Sequence, residues 1–193
     1  MRLRTIRGIL TTRICQQELR RRFFLLLSSS LAGLAVTACT PDNLPSGPAP
    51  LNSYQNDEQP ALSGNGRFLA FVSNRDGNRN LWLYDLQQQQ FMALPGLNRQ
   101  DAIAESPSLS NTGRYIVYVA SDRGRSDVEL YDRATKRSQV LTLLYRGWVR
   151  NPSISPDGRY ITFESGHRGE WSIEVLDRGP KIELDLLDGQ RVR

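Results

Sequence analysis

The chain has 193 residues, 39% of them hydrophobic, a formal charge of +5, two cysteines and one histidine. Seven arginines against Glu18 place +6 ahead of Cys39 and leave −1 for the remainder, which has no field for tracking phosphates and excludes nucleic acid. With only Cys15 and Cys39 available, no disulfide inside the mature chain and no cysteine–histidine metal cluster can be built.

The first 22 residues are basic, and Phe23 to Ala38 form an apolar run of 16 residues. Spanning a bilayer takes about 20, so this run reads as an export signal rather than a permanent span. Its end, Val36-Thr37-Ala38-Cys39, resembles the lipobox of bacterial lipoproteins. That resemblance implies a cut between Ala38 and Cys39 and acylation of the Cys39 thiol. Arg20, Arg21 and Phe23 resemble the twin-arginine export motif, although Leu19 stands where the motif has serine or threonine. The alternative is an arginine-rich flank serving the general export route. Residues 1–38 are thus expected to be a signal peptide. Residues 39–58 carry four prolines and no periodicity, and are expected to be a flexible tether.

From 59 to 193 one pattern occurs three times. Pro60, Pro107 and Pro152 align, as do Ser63, Ser110 and Ser155, and Gly66, Gly113 and Gly158. Each glycine is followed by arginine and an aromatic, and each copy closes on an aspartate: Asp85, Asp132 and Asp177. Serine, Asp157 and glycine at such positions set a tight turn, so these residues are read as structural. Spacings of 47 and 45 residues with several strands per copy are the signature of β-propeller blades. Four strands are expected in each copy, the last in the third copy over Lys181 to Leu187.

The second strand of each copy is apolar on both faces, as in Phe68, Ala70 and Val72 against Leu69 and Phe71. Such a strand lies in a sheet covered on both sides. Three blades do not close a ring, and a bare end face of on the order of 400 Å² would gain about 10 kcal/mol on being covered. Two chains closing a six-bladed ring, or stacking on another protein, would cover it. The third copy is more polar on one face (Tyr160, Thr162, Glu164), as in a capping repeat, so an open, capped arc stays equally open.

The string Ser155-Pro156-Asp157-Gly158-Arg159-Tyr160-Ile161, with Phe163 and Val175-Leu176-Asp177, resembles the blade repeat of the TolB family of the Tol–Pal envelope system. The resemblance covers about Gln59 to Leu187 and implies an all-β, partial propeller of three four-stranded antiparallel blades. It also implies protein binding in the bacterial cell envelope, here lipid-anchored and facing the periplasm. Thr40 after the lipidated cysteine resembles outer-membrane sorting. TolB proteins have six blades, a further amino-terminal domain and no lipid, and this sequence departs from all three.

Recognition is expected where the copies differ: the loops with Arg75, Asp122, Arg123, His167 and Arg168. Trp148 is read either as an interface anchor or as packed between blades. No Gly-x-Ser-x-Gly elbow occurs and His167 is the only histidine, so neither catalysis nor a cofactor is expected. The leading expectation is a non-catalytic protein-interaction module. The alternatives are a glycan- or small-ligand-binding module, with Trp148 and Trp171 as stacking platforms, and a degenerate fragment of a longer propeller.

Overall fold

A computed structural model describes residues 48–100, 102–121, 124–167 and 169–186. The predicted signal peptide, with Arg20, Arg21, Phe23 and Ala38, lies outside the described residues, as do Cys39, Asp122, Arg123 and Arg168. Regular structure among the described residues is entirely β. The first sheet is β1 (Asp57–Leu62), β2 (Phe68–Ser73), β3 (Asn80–Asp85) and β4 (Gln90–Met92). The second is β5 (Ile103–Leu109), β6 (Tyr115–Ser121), β7 (Ser126–Asp132) and β8 (Arg137–Val140). The third is β9 (Trp148–Ile154), β10 (Tyr160–His167) and β11 (Glu170–Asp177). Strands follow chain order within each sheet and every pair is antiparallel.

The sheets stack as separate units. Phe68, Ala70, Leu81 and Leu83 of the first meet Leu109, Ile116, Tyr118 and Tyr131 of the second in one core. Tyr115, Val117, Val128 and Leu130 on the second sheet's other face meet Val149, Ile154, Ile161 and Phe163 of the third. Burial on both faces of β6 is what the two-sided apolar pattern dictates.

The opening strands are longer than the sequence signals. Each contains a register shift where Gln59, Ser106 and Asn151 take φ of 54°, 50° and 50°, just before the aligned prolines. A proline has no N–H to give the ladder, and a bulge accommodates that while hiding the two-residue period that marks a strand.

Two expectations fail, each for a local reason. The fourth strand predicted over Lys181 to Leu187 is absent from the described part of that stretch. Gln89 and Lys136 turn the chain back at φ 53° and 57° in the first two sheets, whereas the third has Gly179 at φ 86° followed by Pro180. The chain then runs to the second sheet's turn instead of pairing with β11. The stretch expected to end a flexible tether is also docked: Ala49 and Leu51 pack on the outer face of the first sheet against Phe71, Tyr84 and Phe91. The Ala49 amide donates to the Gln89 carbonyl at 3.1 Å and the Tyr84 hydroxyl donates to the Ala49 carbonyl at 2.9 Å.

Candidate docking face and recess of the third sheet

The repeated polar residues build three copies of one turn. Ser63, Ser110 and Ser155 each accept, on Oγ, the amide of the aromatic five residues on, at 2.9 Å. In the outer copies the serine hydroxyl also donates to a side chain two residues on, Asn65 (2.7 Å) and Asp157 (2.5 Å). The middle copy has Thr112 there, and the acceptor comes from elsewhere. Asp185 takes the Ser110 hydroxyl (2.6 Å) and the Thr112 amide (2.7 Å) on Oδ2, and the Thr112 hydroxyl on Oδ1. Arginine and closing aspartate pair in every copy: Arg67–Asp85 at 2.7 Å, Arg114–Asp132 at 3.3 Å and Arg159–Asp177 at 2.9 Å. Burial pushes the Asp85 carboxyl up. Hydrogen bonds from Arg67 and the amides of Gln88 and Gln87 more than offset that, holding it below the ordinary carboxylate range. The Arg159 guanidinium and the Gly179 amide hold exposed Asp177 at about 2.

The aromatic after each turn joins one sheet to the next. Phe68 lies against Gly113 of the second sheet, where a Cβ would come within 3.1 Å of its ring. Arg133 covers Phe68 at 4.2 Å and donates to the Gly113 carbonyl at 3.0 Å. Tyr115 meets the third sheet in the same way: Gly158 beneath its ring, Arg178 above it at 4.3 Å, and a 2.6 Å bond from Arg178 to the Gly158 carbonyl. Only glycine leaves room for that approach at φ 80°. Tyr160 is the third member and has no such partner among the described residues. It is 42% exposed, against 7% for Phe68 and 2% for Tyr115.

Around Tyr160 the outer face of the third sheet is open. Trp171, Ile173 and Val175 of β11 are exposed, and so is Trp148 of β9. Trp148 and Trp171 both stand opposite Gly166, one on each side, so they share this face. Trp148 is therefore not packed between sheets. Arg150 lies 3.8 Å over the Trp171 ring and pairs with Glu164, leaving that indole partly covered as a stacking platform.

The remaining predicted contact residues separate. Arg75 is turned back onto the first sheet: its guanidinium covers Phe71, Trp82 and Phe91, which no other sheet among the described residues covers, and pairs with Asp57 at 2.7 Å. His167 is exposed, and its Nδ1 bonds the Arg146 carbonyl at 2.7 Å. It borders a recess of about 360 Å³ lined by Leu144, Tyr145, Arg146, Ser165, His167 and Glu174. Glu174 was missed by sequence reading. Its signal was available, since it holds the same place in the third copy as buried Glu129 in the second. Among the described residues no acidic, histidine and cysteine cluster could hold a metal ion.

No family model matches the sequence, and no curated protein matches it. Solved structures do match. TolB from Acinetobacter baumannii is similar at a TM-score of 0.57 and 22% identity, over 67% of this chain and 31% of that one. A putative TolB from Agrobacterium tumefaciens follows at 0.53 and 18%, over 68% of this chain and 46% of that one. The fold is a TolB-like partial propeller. The chain thus spans less than half the length of either TolB. A Mycobacterium tuberculosis puromycin-hydrolyzing peptidase is also similar, at 0.50 and 16% identity over 72% of this chain and 22% of that one. Likeness at these identities carries the fold, and a propeller unit alone does not indicate catalysis.

Proposed function

We propose that this protein is a non-catalytic docking module of the bacterial cell envelope, held at the membrane by a lipid on Cys39. Its partner is a protein that lays a β-sheet on the outer face of the third sheet. The observation that carries the reading is the exposed Tyr160. Its equivalents Phe68 and Tyr115 are each enclosed by a turn glycine and an arginine of the following sheet. The partner sheet is therefore expected to offer a tight glycine turn and an arginine. A second copy of this chain offers Gly66 but carries Leu86 where Arg133 and Arg178 stand, and Ala49 and Leu51 already lie on its first sheet. That favours a different protein over a six-bladed homodimer.

The reading is tested by a photo-crosslinker at Ile173 in the full-length protein in cells, with the same probe at Thr135, exposed on the last turn of the second sheet, as control. A protein crosslinked from 173, absent from 135 and lost in Tyr160→Ala, supports it. No crosslink from 173 beside selective binding of an envelope sugar would end it. Cys39→Ser is expected to move the protein from the membrane fraction to the soluble one.

A further inference from the structure

The inner side of the third sheet carries a second feature, independent of whatever covers its outer face. In every sheet an aromatic of the second strand stands opposite a residue of the third: Phe71 and Trp82, Tyr118 and Glu129, Phe163 and Glu174. The first two places each hold an arginine. Arg75 lies 4.9 Å over Phe71 and 5.3 Å over Trp82. Arg99 donates to Glu129 Oε1 at 2.9 Å, and the Tyr118 hydroxyl donates to Oε2 at 2.7 Å. In the third sheet the aromatic and the carboxylate are present, but among the described residues the Glu174 side chain makes no ion pair or hydrogen bond. The recess lies there instead.

We propose that this recess binds an arginine side chain from a partner polypeptide, its guanidinium pairing with Glu174 against the ring of Tyr145. Tyr145 is held by buried Phe163, which it meets edge-on at 5.3 Å, and the face of a tyrosine ring attracts a cation. The volume falls at the small end of ligand pockets, suited to one side chain. Its walls are preformed. Arg125 donates to the carbonyls of Thr142, Leu143 and Tyr145, fixing the β8–β9 connection. At Gly147 a Cβ would stand 2.5 Å from the Gly166 carbonyl oxygen, so the connection is pressed onto β10. Rigid walls reduce the ordering cost of binding. Leu144, 92% exposed at the rim, is placed to meet the chain that carries the arginine.

The test uses the full-length chain in detergent micelles and saturation-transfer difference NMR with acetyl-Gly-Arg-Gly amide. The uncharged citrulline peptide is the isosteric control. A single side chain is expected to bind with a Kd on the order of 1 mM, with transfer strongest at the arginine δ-methylene. Citrulline is expected to bind at least tenfold more weakly, and Glu174→Gln to abolish the difference between the two peptides. Arg146→Ala, which removes the neighbouring cation, is expected to keep or strengthen binding. Equal binding of both peptides, or unchanged discrimination in Glu174→Gln, would overturn the proposal. So would loss of binding in Arg146→Ala, or no transfer at all.

Discussion

Asp185 repairs a defect that lies 73 residues away in sequence. A turn with serine first and glycine fourth needs an acceptor at its third residue, and Thr112 offers a hydroxyl where Asn65 and Asp157 offer a carbonyl or carboxylate oxygen. The carboxylate of Asp185 fills that place and takes three bonds. Removing one partner of buried polar groups costs more than the bond itself contributes, so Asp185→Ala is expected to destabilise by about 1–3 kcal/mol. Adding Thr112→Asn supplies the acceptor locally and is expected to recover part of that loss, by urea denaturation. The turn glycines separate two further effects. Gly66 and Gly158 share φ near 70–80°, but a Cβ at Gly66 meets open space and one at Gly158 meets Tyr115 at 2.5 Å. Gly66→Ala should therefore cost about 1–2 kcal/mol, the left-handed penalty alone. Gly158→Ala should cost more, the excess measuring the closeness of the two sheets.

Among the described residues the third sheet ends at β11, which leaves a free edge and an uncovered face. On most proteins a change at an exposed position shifts stability by less than about 0.5 kcal/mol. Ile173→Lys is expected to obey that in the isolated protein, with an unchanged urea midpoint, yet to abolish partner binding, since a charge would be pressed against apolar surface. A binding isotherm beside the denaturation curve reads both. The three sheets were legible because turn residues and two-sided apolar strands repeat in phase, and all three turns fall where Gly66, Gly113 and Gly158 put them. The missing fourth strand was not legible, because Lys181 to Leu187 alternates like its counterparts while Gly179 and Pro180 redirect the chain. Arg75 read as a loop residue for a similar reason. Nothing local says that its guanidinium folds back over three rings.

At the scale of the molecule the two ends of the stack differ. The third sheet is open, whereas the first is closed by Ala49 and Leu51, locked through Arg75, which donates to the Leu51 carbonyl at 2.9 Å and to Asp57 at 2.7 Å. Growth by stacking can therefore proceed from one end only while this lock holds. Acid should open it. Burial pushes the Asp57 carboxyl up from 3.8, but hydrogen bonds from Ser73, Arg75 and the Ser53 amide outweigh that and hold it at about 2. Between those values the unfolded chain binds a proton that the folded one refuses. The contribution is thus complete above about pH 4 and lost as pH falls towards 2, about 1–2 kcal/mol allowing for solvent screening of a partly exposed pair. Trp82, under the Arg75 guanidinium, reports the event by fluorescence. Other carboxylates with lowered values also destabilise the fold in acid, so the comparison with Asp57→Asn is what isolates the lock. The variant should start less stable at pH 6 and lose less between pH 4 and 2. Parallel curves for the two proteins would mean that Asp57 does not hold the cap.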